Sequence, residues 1–304
     1  MSDVPSLFVE SRKASRGFAR GSCVPIGCNA LAVVDQDTSI LHVYTLLENG
    51  IQTEECAHVP GIRLSSVVSL GGVIYGFTYN GVDVLPLHTM VRTRIPTPSF
   101  IGDCRCSSHF VLDNLCYLVV EEVCQGIGAL DRVPRRCTLC LDPERPSEGY
   151  VDLGIPTPAM WNTLTPQQPR GDTYYGVNRE GCVVSFKRGD GWSNTHCVVS
   201  YGNFSPLDRH TISVYPLGSL LLISQRFLGG HPWSLYDTIS GEVARLPNKL
   251  FSCGEVFYPT LAVLQLPGGG HPVFHYIDPS LEYPHRGLRW GIIPPGAVVT
   301  EQGV

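Results

Sequence analysis

Residues 59–96 read as one complete sheet unit, and the rest of the chain repeats it. Val59-Pro60 opens the stretch. Ser65-Ser66-Val67-Val68-Ser69-Leu70 is a first strand, Gly71-Gly72 a turn, and Val73-Ile74-Tyr75-Gly76-Phe77-Thr78 a second strand. Asn80-Gly81 predicts a hairpin, because a two-residue hairpin needs positive φ angles that Asn and Gly adopt at low cost. Val82-Asp83-Val84-Leu85 is a third strand, and Ile95-Pro96 closes the unit.

The flanking segments follow the same plan. Residues 23–59 hold Ala30-Leu31-Ala32-Val33-Val34, the polar turn Asp35-Gln36-Asp37-Thr38, and a strand from Ile40 to Leu47. Residues 97–156 hold Ser107 to Leu112 and Leu115 to Val120 across the turn Asp113-Asn114. A long connection, Glu121 to Arg136, then precedes Cys137 to Leu141. Residues 157–206 hold Thr173 to Val177, the turn Asn178-Arg179-Glu180-Gly181, and Cys182 to Phe186. Residues 207–247 hold Thr211 to Tyr215, Ser219 to Ser224 and Trp233 to Asp237. Residues 248–292 hold Val256 to Tyr258, Leu261 to Leu266 and Val273 to Asp278.

Two rulers measure the repeat. Unit-ending prolines fall at 60, 96, 156, about 206 and 247. Central hairpin turns fall near 36, 80, 128, 179, 229 and 269. Both count six units of roughly 40–50 residues, the length of a propeller blade. The tetrapeptide Ile95-Pro96-Thr97-Pro98 also returns as Ile155-Pro156-Thr157-Pro158. No segment sustains a 3.6-residue period, so long helices are not expected.

The expected fold is all-β: a single β-propeller of six blades, each of about four antiparallel strands. A lone four-stranded sheet exposes two faces and two edges, and a ring of them buries the faces and leaves only short edges. The N- and C-terminal segments are expected to share one blade, with Gly296-Ala297-Val298-Val299-Thr300 as a late strand. The domain division is then a basic arm at 1–22, the propeller at 23–300 and a short tail at 301–304.

The sequence resembles the kelch-type β-propellers. The resemblance rests on Pro60-Gly61-Ile62-Arg63-Leu64-Ser65-Ser66 followed by Leu70-Gly71-Gly72-Val73-Ile74-Tyr75. Trp233-Ser234-Leu235-Tyr236-Asp237, Ser240-Gly241-Glu242 and Leu246-Pro247 match the later half of a kelch repeat. The kelch diglycine after the second strand is replaced by Phe77-Thr78, Val120-Glu121 and Ser224-Gln225. Proteins of this shape mostly serve as interaction platforms, and a minority are enzymes, so the resemblance implies a platform without excluding catalysis.

Composition narrows the function classes. The formal charge is −5 with a pI near 6.0, which is not the balance of a general nucleic-acid binder. No apolar run reaches the length of a membrane span. Arg12, Lys13, Arg16 and Arg20 give residues 1–22 a basic character like that of an organelle presequence, though Asp3 and Glu10 interrupt it. With no apolar signal core, the expected location is intracellular and cytoplasmic, with organelle import as the alternative.

The groups that could carry chemistry each have a structural reading. Cys104 and Cys106, with Cys137-Thr138-Leu139-Cys140, Cys116 and Cys124, form the densest thiol group among twelve cysteines. Zinc and disulfides are both open for it, but Cys137 and Cys140 flank an apparent strand, where positions i and i+3 face opposite sides. Reduced structural thiols are expected. His271 and His275 lie across a turn and a strand rather than on one helix face. Glu54-Glu55 and Glu121-Glu122 are adjacent, point oppositely on a strand, and read as solvated edge charges. No catalytic residue, cofactor site or metal site is assigned.

The functional reading is a non-enzymatic scaffold for protein–protein interaction within a multi-subunit assembly. The rivals are an enzyme acting on a sugar or lactone at the axial funnel, and a nucleic-acid-associated scaffold. The expected partner contact is the Glu121–Arg136 connection, with Arg132, Arg135 and Arg136 meeting an acidic surface or phosphates.

Overall fold

The computed structural model describes residues 12–13, 21–26, 29–35, 39–47, 50–58, 67–78, 81–96, 104–122, 134–160, 171–197, 211–226, 233–246, 261–263, 271–277 and 287–293. The expected strand Gly296–Thr300, Cys124 and Arg132 lie outside them. The chain divides into two compact units. One comprises Met1–Leu64, Pro206–His210 and Val214–Val304; the other comprises Ser65–Ser205 and Thr211–Ser213.

The second unit holds three antiparallel sheets. The first is β6 (Val67–Leu70), β7 (Val73–Thr78), β8 (Gly81–Pro86) and β9 (Thr93–Pro96). The second is β10 (Cys104–Leu112), β11 (Leu115–Glu122), β12 (Arg136–Leu141) and β13 (Tyr150–Asp152). The third has three strands among the described residues: β14 (Thr173–Val177), β15 (Cys182–Lys187) and β16 (Gly191–Cys197). Met160 adds an isolated antiparallel bridge to Asn178. Strands pair in sequence order, so every connection within a sheet is a hairpin.

The first unit holds three four-stranded sheets. One is β2 (Gly21–Pro25), β3 (Ala30–Asp35), β4 (Ile40–Leu47) and β5 (Gly50–His58). Another is β17 (Thr211–Leu217), β18 (Leu220–Arg226), β19 (Trp233–Asp237) and β20 (Val243–Leu246). In the last, β1 (Arg12–Lys13) pairs with β23 (Gly287–Ile293), followed by β22 (His271–Ile277) and β21 (Leu261–Val263). Arg12 stands opposite Trp290 and Lys13 opposite Arg289, so the N- and C-terminal segments share one sheet. The N-terminal contribution to that sheet comes from within the stretch read as a basic arm.

Local turn chemistry sets the hairpins. Gly71 and Gly72 have φ of 57° and 76°, left-handed angles that glycine adopts without strain. Asp113 and Asn114, at 49° and 59°, carry the double positive φ of a primed hairpin turn. The long connection is shorter than expected, because β11 continues through Glu122 and β12 begins at Arg136. Pairing of Glu121 with Arg136 extends the ladder into residues that the sequence pattern assigned to the loop.

The middle sheet of the second unit buries both faces. Cys116, Leu118, Val120, Cys137, Leu139 and Leu141 pack with Tyr75 and Val82 of the preceding sheet. Phe110, Tyr117 and Val119 pack with Tyr174, Val184 and Phe186 of the following one. Phe110 is stacked on Tyr174, ring centroids 3.7 Å apart, and on Tyr117 at 5.1 Å. The Ser108 and Tyr174 hydroxyls hydrogen-bond at 2.5 Å, so the polar end of the stack is satisfied. Phe110→Ala should remove the centre of this stack and cost about 3–5 kcal/mol. The check is a lowered urea midpoint with the slope unchanged. A loss below about 1 kcal/mol would show that the sheets do not depend on this contact.

Candidate functional site

Three charged or polar groupings stand out in the second unit. The first surrounds Glu121, near the end of β11. Its cross-strand neighbour Arg136 donates from Nε to Oε1 at 3.0 Å. Arg179, in the turn after β14, donates from Nη2 to Oε2. That turn is fixed by Asn178, whose Oδ1 accepts from the backbone N–H groups of Glu180 and Cys182 at 3.0 and 2.9 Å. Glu121 is 4% exposed, which corrects its reading as a solvated edge charge. A carboxylate at such a position needs paired cations, and two arginines from two sheets supply them.

The same node carries the expected partner contact. Arg135 and Arg136 lie side by side at the root of the 123–135 connection. Arg136 turns to Glu121, while Arg135 donates from Nη2 to Asp152 Oδ2 at 3.2 Å. The Glu122 N–H donates to the Arg135 carbonyl at 2.9 Å, closing the root. Arg135 remains 61% exposed at its side chain. Arg132 lies outside the described residues.

The second grouping was not singled out from the sequence. Asp83 of β8 is buried, and Arg94 of β9 stands opposite it. Arg94 donates from Nε and Nη2 at 2.9 and 3.2 Å, and Arg92 donates from Nη2 at 2.6 Å. The only local signal was an acid on an apolar strand with Arg-x-Arg in the next one.

The third is a cleft of about 360 Å³ at the other end of the second and third sheets. Tyr117 and Cys140, opposite each other on β11 and β12, line it. Burial raises the pKa of both, so hydroxyl and thiol are neutral at physiological pH. Arg145 lies at the rim, bound to Asp142 at 2.9 Å and Glu148 at 3.2 Å.

Cys137 and Cys140 do not converge. Cys137 packs toward the preceding sheet and Cys140 toward the following one, as strand alternation requires. Cys116, Cys137 and Cys140 are free thiols. Among the described residues no three His, Cys, Asp or Glu side chains are grouped to hold a metal ion, and no helix is long and apolar enough to cross a membrane. His271 and His275 both lie on β22, facing Ile293 and Arg289 in register.

No protein-family model and no curated protein matches the chain. Solved structures do. YjhT superposes with a TM-score of 0.61 at 11% identity, over 92% of this chain and 95% of that one. The calcium-binding protein regucalcin from Agrobacterium tumefaciens str. C58 gives 0.53 at 11% identity, over 94% and 96%. AofleA from Arthrobotrys oligospora gives 0.50 at 10% identity, over 96% and 91%. The chain is a β-propeller. At these identities the likeness is one of fold, and it does not single out the kelch type.

Within the propeller, Asp83 is held ionised. Burial alone would raise its pKa, but the hydrogen bonds from Arg94 and Arg92 outweigh that and lower it. A lowered folded-state pKa contributes stability that is present above the unfolded value and lost as pH falls through the folded one. Asp83→Asn should therefore destabilise the neutral protein by about 1–3 kcal/mol. The gap from wild type should close as the pH drops below about 4. Denaturant midpoints measured across that range check this, and a gap independent of pH would contradict it.

Proposed function

We propose that this propeller is a non-enzymatic scaffold that docks other proteins within a larger assembly, with the 123–135 connection as a principal contact. One observation carries the reading: a long connection rises from an ion-paired root. The comparable turn in the first sheet of this unit has two residues, 79–80, and that in the third has four, 178–181. Here thirteen residues separate β11 from β12. Glu121 with Arg136 and Arg179, and Arg135 with Asp152, hold its two ends. A long connection on an ion-paired base is how repeat folds add binding surface without altering their packing.

The remaining features fit this reading. Glu121 and Asp83 are each bound to two arginines, which suits a structural role better than acid–base catalysis. The rival, an enzyme acting on a sugar or lactone at the axial funnel, requires carboxylates or histidines free to react. Net charge of −5 argues against nucleic acid as the direct partner. Free thiols fit a reducing, intracellular setting. The kelch-type resemblance belongs with this reading, since it too implies a platform.

In this proposal Arg135 and Arg132 are the residues that meet the partner, while Arg136 sets the angle at which the loop leaves the sheet. The test replaces residues 124–134 with a short Gly-Ser linker and, separately, makes Arg132→Glu with Arg135→Glu. Both variants should melt within a few degrees of wild type and lose the protein that co-purifies with wild type from native cells. Full recovery of that protein with either variant would overturn the assignment of the contact.

A further inference from the structure

The cleft beside Tyr117 and Cys140 lies away from the loop root and has a construction of its own. Its walls are apolar: Leu115, Val151, Leu153, Ile155 and Phe186. Val151, on the outer strand β13, is 54% exposed and Leu153, just after it, 37%, although both are large hydrophobics. Exposed apolar side chains gathered at a concavity mark a binding surface more often than singly scattered ones do. The volume, about 360 Å³, is at the lower end of the range of small-molecule sites.

The charges at the mouth are unequal in their commitments. Asp142 and Glu148 are both engaged by Arg145. Arg188 also lines the cleft, and among the described residues no ion pair engages it. It belongs to the turn Arg188-Gly189-Asp190-Gly191, where Gly189 and Gly191 take φ of 90° and 78°. Glycine reaches such angles at low cost, which lets the chain turn tightly and present Arg188 at the cleft. Its guanidinium is close enough to Tyr117 and Cys140 to favour their ionised forms, which burial opposes more strongly. The floor therefore offers a neutral hydroxyl and thiol beside one uncommitted guanidinium.

We propose that this cleft is a binding site for a small amphipathic carboxylate, its apolar body against Leu115, Val151, Leu153 and Ile155 and its carboxylate on Arg188. A guanidinium binds a carboxylate by paired, charge-assisted hydrogen bonds, which gives selectivity over a neutral or cationic group of the same shape. The site is independent of the loop contact and stands or falls without it.

The experiment titrates the full-length protein, methyl-labelled at Leu, Val and Ile, with three probes of one shape: 3-phenylpropionate, 3-phenylpropanamide and 3-phenylpropylamine. The propionate should shift the Val151, Leu153 and Ile155 methyls with a millimolar Kd, as befits a fragment of this size. The amide should bind at least about five-fold more weakly, and Arg188→Gln should reduce propionate binding to the level of the amide. Arg188 is exposed, and the unchanged methyl spectrum of the variant without ligand confirms its fold. Equal binding of propionate and amide, preference for the amine, or shifts that avoid these methyls would each overturn the proposal.

Discussion

Within the second unit the structure depends on a sheet that buries both of its faces against the sheets on either side. In the middle sheet of the second unit, β11 alternates Cys116, Leu118 and Val120 toward one neighbour with Tyr117 and Val119 toward the other. Nearly every residue of the strand is buried. Such a strand has no solvated face, and its sequence is a continuous apolar run rather than an alternation of apolar and polar. Remove one neighbour and an entire row of side chains meets water, at about 25 cal/mol for each Å² exposed. Repeating units suit that constraint, because a sheet packed on both sides must present two complementary faces.

Electrostatics adds a second layer to the same packing. Glu121 joins two sheets through Arg136 and Arg179, and Asp83 ties an outer strand inward through Arg92 and Arg94. Each is a buried acid with two partly exposed arginines, so the acid is compensated while the arginines keep contact with water. These pairs specify how strands and sheets align more than they add net stability. They also fix where the 123–135 connection leaves the sheet, while the cleft at Arg188 is shaped by hairpin turns at the other end of the same two sheets.

Much of this architecture was legible in the sequence because its signals are local. Gly71-Gly72, Asp113-Asn114 and Asn178 to Gly181 mark turns through their own backbone preferences, and the apolar runs between them mark strands. The opposite facing of Cys137 and Cys140 followed from alternation alone. What was not legible depends on residues far apart in sequence. Glu121 looked like an edge charge because Arg179, which accounts for its burial, is 58 positions away. The same blindness stretched the expected loop over Glu121, Glu122 and Arg136, which the ladder claims. The cleft could not be read at all, since Leu115, Val151 and Arg188 meet only when three hairpins are in place.

Native-state hydrogen exchange tests the dependence on shared faces most directly. If the second and third sheets of the second unit depend on the face they share, they open as one cooperative unit. The amides of β11, β12, β14 and β15 should then share one opening free energy and one dependence on denaturant. Separate opening free energies for β11–β12 and β14–β15, each with its own denaturant slope, would contradict the account.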